Sequence, residues 1–281
     1  MGKKILILGA TGTLGNPVTR CLADGDHTIR ILTRRAEKAR KMFDDMVEIV
    51  EGDSTNRNHI ESAIDGCEAV HITLPAESEL IAVQHVINSF TAKNLNLISY
   101  VSGTSVREEN RWFKLIDVKM RAENLIRNSG IPYMIFCPTW VMEVLNKFVR
   151  GNRAAVIASK NPPAIHFFAA ADFGRMVATA FEDTRVLGKR LYIHGPESIT
   201  LPAALQAFLG ACYPQVKVAH LKLWQARLIA RITGRMDSVS RLIRYFDRVG
   251  ELGDPTEADA LLGAPSTTFG DWIESRKEGI G

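Results

Sequence analysis

Three glycines near the N-terminus have the spacing that most clearly indicates a ligand-binding site. Gly9-Ala10-Thr11-Gly12-Thr13-Leu14-Gly15 follows the apolar run Lys4–Leu8 and precedes a helix predicted over Pro17–Leu22. A buried strand that turns through small residues into a helix directs backbone N–H groups and the positive helix end at one point. This pattern predicts a dinucleotide pyrophosphate site formed by Gly9, Thr11, Gly12, Thr13, Leu14 and Gly15. The alternative is a tight strand-to-helix turn without a ligand.

Basic residues follow the second predicted strand, Thr28–Thr33. Enzymes that bind NAD place a carboxylate near this position for the ribose 2′-hydroxyl, whereas this chain has Arg34 and, one helical turn later, Lys38. Guanidinium groups bind phosphate strongly, so these residues predict NADPH as the cofactor. Solvated charges at a helix start are the alternative. Asp53, after the third strand, is expected either at the adenine edge or as a cap of the next helix.

Lys119 is the best single candidate for a catalytic residue. It shares one face of a predicted helix with Leu115, Ala122 and Ile126. A lysine in an apolar stripe is costly unless it meets a partner, although its stem can also snorkel past the helix edge. Short-chain dehydrogenases carry a tyrosine four residues before this lysine, and here that position is Leu115. The literal Tyr213-Pro214-Gln215-Val216-Lys217 is expected to be a chance match, because Pro214 disfavours the helix that the motif needs.

The elements that position these residues alternate between strands and helices through the first half of the chain. Such alternation predicts an α/β fold with a doubly wound parallel sheet, the Rossmann architecture. We expect residues 1–150 to form the nucleotide-binding domain, with the sheet completed by a later segment near residues 165–195. Residues 151–281 are expected to form a smaller C-terminal substrate- or partner-binding region on the carboxyl edge of the sheet. A long helical stretch is predicted from Leu221 to Val249, broken near Gly234. The predicted strands are Lys4–Leu8, Thr28–Thr33, Val47–Asp53, Ala69–Pro75, Asn96–Ser102 and Tyr133–Pro138.

The ends of these strands add further expected cofactor contacts, because ligands of parallel α/β sheets bind at the carboxyl edge. The residues concerned are Ser54, Leu74, Ser102 and Pro138. Apolar and aromatic side chains that could enclose a planar substrate are Trp112, Trp140, Met142 and Phe167. An ordinary core position is the alternative for each of these four.

Composition excludes several other classes. The net charge of the 281 residues is +4 and is spread along the chain, and no nucleic-acid-binding motif is present. Four separated cysteines and seven scattered histidines predict neither a disulfide framework nor a metal site. No run is long and apolar enough for a signal peptide or a membrane span, so a cytoplasmic protein is expected.

The chain resembles the NmrA-like group of atypical short-chain dehydrogenases/reductases over nearly its whole length. The glycine loop is shared with many families, whereas two other features are more specific. Lys119 lies eleven residues before Gly130-Ile131-Pro132-Tyr133, and the segment Cys137-Pro138-Thr139-Trp140-Val141-Met142-Glu143 follows. Cys137 departs from the pattern, since relatives commonly have arginine before this proline.

The resemblance implies two kinds of function. Some members of the group are NADPH-dependent reductases of quinones, dyes or plant phenolic ethers, in which the lysine that matches Lys119 serves the cofactor or the catalysis. Others bind NADP without turnover and regulate protein partners as redox sensors. The basic amphipathic stretch Lys217–Arg248 would suit such a partner, although a helix that covers its own domain explains it equally. A small-molecule acceptor is therefore the first expectation and a protein partner the second. Oligomeric state is left open.

Overall fold

The computed structural model describes residues 2–90, 95–233 and 237–278. Within these residues the chain forms strands and helices in regular alternation as far as residue 138. The strands are β1 (Lys4–Leu8), β2 (Thr28–Thr33), β3 (Glu48–Glu51), β4 (Ala69–Ile72), β5 (Leu97–Val101), β6 (Tyr133–Pro138), β7 (Val149–Arg150), β8 (Arg153–Ala158), β9 (Ala164–His166), β10 (Arg190–Ile193), β11 (Ser198–Thr200) and β12 (Lys217–Lys222).

The helices flank or follow these strands. They are α1 (Gly15–Ala23), α2 (Ala36–Phe43), α3 (Arg57–Ala63), α4 (Ala76–Phe90), α5 (Lys114–Asn128), α6 (Ala170–Glu182), α7 (Leu201–Cys212), α8 (Leu223–Thr233), α9 (Asp237–Val249), α10 (Thr256–Leu262) and α11 (Phe269–Glu278). No helix in the described residues has the length and apolarity needed to cross a membrane.

The central sheet has seven strands, and every pairing in it is parallel. Its strand order is β10-β6-β5-β4-β1-β2-β3, which confirms the predicted Rossmann-type fold. The apolar runs explain the arrangement, since parallel strands covered on both faces read as continuous hydrophobic segments. Residues Ile5 to Leu8 of β1 have no exposed surface. The order reverses between β1 and β4, and that reversal marks the ligand-binding edge of such sheets.

The chain divides into two compact units. The first unit comprises Met1–Pro138, Ala170–Ile193 and Asp254–Ala264, and the second comprises Thr139–Ala169, His194–Gly253 and Pro265–Gly281. The central sheet belongs to the first unit, since β10 returns to pair with β6. The chain therefore passes from one unit to the other more than once.

Close packing of α1 on α6 shapes the first unit. A Cβ atom on Gly174 of α6 would lie 2.7 Å from the carbonyl oxygen of Pro17 in α1, so the contact needs glycine. Asp172, in the first turn of α6, forms an ion pair with Arg175 at 3.4 Å.

The second unit has its own small sheets and its own apolar core. β12 pairs with β8 in parallel and β9 pairs with β11 in antiparallel. The prediction of helix from Leu221 was wrong at its start, because residues 217–222 lie in β12. β12 gains backbone hydrogen bonds from β8, a distant partner that local periodicity does not reveal. Gly234, the predicted break, lies outside the described residues.

Most predicted elements of the first half are confirmed with shifts at their ends. β1, β2 and β6 match their predicted bounds, whereas β3, β4 and β5 are shorter. The sequence also predicts a helix over Leu80–Ala92, which corresponds to α4, although Ala92 lies outside the described residues. Tyr213 is the C-cap that follows α7 and Lys217 begins β12, so the Tyr-x-x-x-Lys match is not on a helix.

Candidate functional site

The glycine loop connects β1 to α1 at the centre of the sheet. Gly9 has a φ of +93°, and a Cβ on it would lie 2.1 Å from the carbonyl oxygen of Thr73. A Cβ on Gly15 would lie equally close to the carbonyl oxygen of Gly9. These two glycines are therefore required by the fold itself, because any side chain would collide with backbone.

Gly12 differs from its two neighbours in the motif. A Cβ there would meet only the Gly9 carbonyl oxygen, at 3.1 Å, and both Gly12 and Thr13 are exposed. α1 begins with no side-chain cap and no acidic residue in its first turn. Backbone N–H groups at this helix end are thus open to an anion. The loop has the shape and the charge preference of a pyrophosphate site, and a dinucleotide fits it.

Arg34 and Lys38 are both exposed at the end of β2 and in α2. The side chain of Arg34 is 75% exposed, and its guanidinium lies 3.8 Å from the Asp53 carboxylate. Thr55 donates its backbone N–H and its hydroxyl to Asp53, each at 2.8 Å, and these bonds lower the pKa of Asp53. Asn56, not Asp53, caps α3 by accepting from Asn58 N. The capping alternative for Asp53 was therefore wrong.

Lys119 lies beside the carboxyl end of β5. Its Nζ donates to the carbonyl oxygen of Val101 at 3.0 Å and to Oε1 of Glu79 at 2.9 Å. The side chain keeps 16% of its surface exposed, whereas Glu79 keeps 1%. The ammonium also lies 5.5 Å from the centre of the Tyr100 ring. Lys119 is thus an anchored cation rather than a side chain that snorkels into solvent.

Glu79 and Tyr100 are the partners that sequence reasoning missed. The Tyr100 hydroxyl donates to Oε1 of Glu79 in a short hydrogen bond. Burial first, and then the nearby Glu79 carboxylate, raise the pKa of Tyr100 well above its ordinary value, so this phenol stays neutral. Oε2 of Glu79 is buried without a hydrogen-bond partner in the described residues. The presence of Glu79 in the first turn of α4, after a predicted strand, was the only hint of this contact that the sequence offered. Because Glu79 and Lys119 are forty positions apart, local patterns could not pair them.

Ser102 follows β5 and is tied to a second buried carboxylate. Its hydroxyl donates to Oε1 of Glu123 in a short hydrogen bond. Arg190 of β10 contacts both carboxylate oxygens of Glu123, at 3.1 and 3.2 Å, and Arg127 adds a contact at 3.4 Å. Glu123 therefore orients Ser102 at the carboxyl end of β5, where the sequence predicts a cofactor contact.

Cys137 lies one residue before the end of β6 and is completely buried. Burial raises the pKa of its thiol to about 12, although Arg190 nearby acts in the opposite direction. The thiol is therefore neutral and unreactive at ordinary pH. Relatives commonly have an arginine at the position of Cys137. In this protein the arginine near that position is Arg190, which lies on the neighbouring strand β10.

The other predicted cofactor residues also follow strands of the central sheet. Ser54 lies after β3 and Leu74 after β4, both partly buried, and Pro138 ends β6. The backbone N–H of Thr104 donates to the carbonyl oxygen of Pro138 at 3.3 Å. All three residues are thus at carboxyl ends of parallel strands, the edge at which α/β folds bind ligands.

The predicted substrate residues do not share one environment. Trp112 belongs to the first unit and its side chain is 49% exposed. Met142 and Phe167, each 1% exposed, lie in the apolar core of the second unit. Trp140 packs edge-on against Phe167 and Phe246, with ring centres 6.0 and 4.9 Å apart. Trp140 is also largely buried and lines a narrow crevice within the second unit.

A cluster of two histidines and a carboxylate in the second unit had no signal in the sequence. Glu251 accepts from Thr139 Oγ1 at 2.6 Å, from the backbone N of His166 at 3.0 Å, and from His166 Nδ1 in a short contact. His194 stacks on His166 with ring centres 5.7 Å apart. The candidate ligand atoms lie within 4.8 Å of one another, yet the carboxylate is already held by three donors. The cluster ties the segment after α9 to β9.

Comparison with known proteins identifies relatives over almost the full length. A (4-alkanoyl-5-oxo-2,5-dihydrofuran-3-yl)methyl phosphate reductase of Streptomyces griseus is 27% identical over 285 aligned positions, covering 98% of each chain. An NADPH-dependent quinone oxidoreductase of Escherichia coli, solved with NADPH, superposes with a TM-score of 0.76 at 22% identity and covers 96% of this chain and 99% of that one. A triphenylmethane reductase of Citrobacter, solved with NADP(H), gives a TM-score of 0.76 at 17% identity, with 97% and 99% covered.

These structural likenesses extend the agreement in fold beyond the glycine loop. The sequence profile of the NmrA-like family matches residues 1–212, which include the glycine loop, Arg34, Glu79 and Lys119. Three quarters of the chain therefore carries the family pattern. This protein belongs to the NmrA-like family.

Proposed function

We propose that this protein is an NADPH-dependent reductase that transfers a hydride to a small conjugated acceptor such as a quinone. The observation that carries the proposal is Lys119, a cation anchored at the carboxyl end of β5 by Glu79 and by the Val101 carbonyl. The similar proteins support the same class of reaction, since they include a quinone oxidoreductase solved with NADPH and a triphenylmethane reductase solved with NADP(H).

NADPH, when bound, supplies the hydride, and the first unit has the groups to hold it. The open end of α1 at Gly12 and Thr13 suits the pyrophosphate. The exposed guanidinium of Arg34, with Lys38 exposed in the first turn of α2, suits the 2′-phosphate. Asp53 lies beside Arg34 with its carboxylate occupied by Thr55, so it leaves most of the guanidinium surface free.

Lys119 is proposed to bind and protonate the acceptor. Its ammonium has three N–H donors, of which two are used by Glu79 and Val101. The third remains for a bound oxygen, and the partly exposed side chain can reach one. Tyr100 does not replace the tyrosine absent at Leu115, because it has no exposed surface and its hydroxyl is bound to Glu79.

The missing tyrosine favours an acceptor that needs little acid catalysis. A quinone that accepts a hydride becomes a hydroquinone anion, whose charge is spread over the conjugated ring. One proton, from Lys119 or from water, then completes the hydroquinone. A simple ketone would develop a localised alkoxide and would need a stronger proton donor in the transition state.

Steady-state oxidation of NADPH with a panel of quinones and dyes tests the proposal. We expect turnover with at least one acceptor and a fall of about 100-fold or more in kcat/KM for Lys119→Ala. Lys114→Ala is the matched control, since Lys114 is an exposed lysine on the same helix. Tight NADPH binding without turnover of any acceptor would overturn the proposed activity, and so would full activity in Lys119→Ala.

A second candidate, an NADP(H) sensor that acts through a protein partner, is favoured by one surface feature. Trp224 and Leu228, one turn apart on α8, are 61% and 51% exposed. Large apolar side chains that face solvent together are typical of interaction surfaces. Loss of a partner on Trp224→Ser substitution, together with NADPH binding but no turnover, would select this function over the reductase.

A further inference from the structure

The two histidines and the glutamate that meet in the second unit offer a set of donors suited to a metal ion. His166 ends β9, His194 follows β10 and Glu251 follows α9. One ligand atom from each residue lies within 4.8 Å of the other two. All three residues belong to the second unit, whereas the glycine loop and Lys119 belong to the first.

The two oxygens of Glu251 have different surroundings. Oε1 accepts from the hydroxyl of Thr139 at 2.6 Å and from the backbone N–H of His166 at 3.0 Å. Oε2 contacts Nδ1 of His166 and lies 3.8 Å from Nδ1 of His194. Oε1 therefore orients the carboxylate, and Oε2 faces both imidazole rings. Hydrogen bonds that fix a carboxylate in this way are typical of the residues that support metal ligands.

His194 presents a lone pair to the same carboxylate oxygen. Its Nε2 lies 3.2 Å from the carbonyl oxygen of Leu252, and because a carbonyl oxygen can only accept, Nε2 carries the ring proton. Nδ1 of the neutral imidazole is then an acceptor that faces Oε2 of Glu251, which is also an acceptor. Two acceptors that face each other repel unless a cation lies between them. The side chains of His194 and Glu251 are only 10% and 11% exposed, so water does little to relieve this repulsion.

His166 supplies the third donor on the more open side of the cluster. Its ring stacks on that of His194 with centres 5.7 Å apart, and its side chain is 40% exposed. The Nδ1 proton that it gives to Glu251 can pass to Nε2 through solvent, so the imidazole stays neutral and frees a lone pair on Nδ1. A tetrahedral Zn²⁺ with bonds of about 2.0–2.1 Å keeps its donors about 3.4 Å apart. The separation of 3.8 Å between His194 Nδ1 and Glu251 Oε2 is close to that value.

We propose that His166, His194 and Glu251 bind one Zn²⁺ ion through two imidazole nitrogens and Oε2 of the carboxylate. Imidazole nitrogen suits zinc and related transition metals, whereas Mg²⁺ and Ca²⁺ prefer oxygen donors. Three protein donors leave a fourth position for water. The ion fastens the end of β9 to the segments that follow β10 and α9, and so stabilises the second unit. This site does not depend on the proposed reductase activity, because none of its residues contacts the glycine loop or Lys119 through a hydrogen bond or ion pair.

Zinc binding by the full chain without an affinity tag tests the proposal. The protein is freed of metal with a chelator and titrated with Zn²⁺ in competition with a chromophoric chelator, and Mg²⁺ serves as the comparison. We expect one equivalent of Zn²⁺ per chain, no uptake of Mg²⁺, and a higher melting temperature with Zn²⁺. This measurement on the unsubstituted protein requires no variant to fold. Absence of stoichiometric Zn²⁺ uptake would overturn the proposal and would leave a proton as the cation of the cluster.

Substitutions then locate the ion. His194→Ala and Glu251→Gln each remove a donor and should weaken Zn²⁺ binding by about 100-fold or more. Thr139→Val removes only the hydroxyl that orients Oε1 and should weaken binding about tenfold. His220→Ala is the matched control, since His220 is an exposed histidine of β12 in the same unit. An equal loss in His220→Ala, or full affinity in both His194→Ala and Glu251→Gln, would contradict the site.

Discussion

Two glutamates of the first unit are buried to a similar degree but differ in how their carboxylate oxygens are paired. Glu79 is 1% exposed and Glu123 is 2% exposed. One oxygen of Glu79 takes both the lysine and the tyrosine, and the other oxygen is left without a partner. Glu123 has both oxygens occupied, by two arginines and a serine.

The difference separates a group that can rearrange from one that holds the fold. A lysine ammonium is a compact charge on a flexible stem, whereas an arginine fork binds a carboxylate through two parallel contacts. The Glu123 cluster connects α5 to β10 and therefore fastens an edge strand to the sheet. The Glu79 cluster leaves one N–H donor of the partly exposed Lys119 for a ligand, whereas the second oxygen of Glu79 is buried without a partner in the described residues. We interpret the first cluster as structural and the second as part of the site.

Removing the charge of Glu123 is expected to have the largest effect on stability. Glu123→Gln leaves Arg190, 21% exposed, without its counter-ion inside the protein. Breaking a buried ion pair by removing one partner costs about 3–5 kcal/mol. Urea unfolding at neutral pH measures the change in the free energy of unfolding. A loss below about 1 kcal/mol would remove the structural role from this cluster.

Removing the charge of Glu79 is expected to act on catalysis more than on folding. Glu79→Gln keeps the size of the side chain but frees the Lys119 ammonium, so kcat should fall about 10- to 100-fold, with a smaller change in KM. Glu79→Asp should recover part of the loss if positioning is the role. Glu77→Gln, exposed on the same helix, is the control. Stability losses equal to those of Glu123→Gln with unchanged kcat would make the two clusters alike.

His71 and Ser99 form a buried polar pair that contains no ion pair. His71 therefore tests the effect of burial alone. Its Nδ1 lies 2.8 Å from Ser99 Oγ across β4 and β5, and complete burial lowers its pKa from 6.5 to about 3. The unfolded chain binds this proton below pH 6.5 and the folded chain does not until about pH 3. Stability from this group is therefore present above pH 6.5 and lost as the pH falls towards 3.

The expected loss at pH 5 is about 2 kcal/mol relative to pH 7.5. Urea unfolding at pH 7.5, 6 and 5 measures it, and His71→Gln should abolish that part of the slope. An unchanged slope in the variant would assign acid sensitivity to other groups, the paired carboxylates included.

The exposed Arg34 should show the smallest effect, because its charge is solvated in the free protein. Arg34→Ser is expected to weaken NADPH binding about tenfold, because one charge-assisted contact to the 2′-phosphate is lost. NADH lacks this phosphate, so its binding should be unchanged. Fluorescence titration of both cofactors measures the ratio. Arg40→Ser, exposed on the same helix, is the control. Equal binding of NADPH and NADH by the unsubstituted protein would contradict the cofactor preference.

Local patterns were sufficient for the sheet and for the glycine loop. Strand-like runs between helical segments identified six of the seven central strands, and β1 among them is a continuous apolar run because it is buried inside the sheet. The position of Lys119 on an apolar helix face predicted that its ammonium meets a partner, and in the structure that partner is Glu79. Local patterns failed at Lys217–Lys222, where pairing with β8 decides the structure.

By itself, the sequence of this protein determined the Rossmann-type sheet, the turn at Gly9–Gly15 and the basic end of β2, since each depends on residues close together in the chain. Only the tertiary structure decided which carboxylate holds Lys119 and which meets two histidines. Glu79 and Lys119 are forty positions apart, and His166 and Glu251 are eighty-five apart. Contacts over such separations follow from packing, and hydrophobic periodicity carries no record of them.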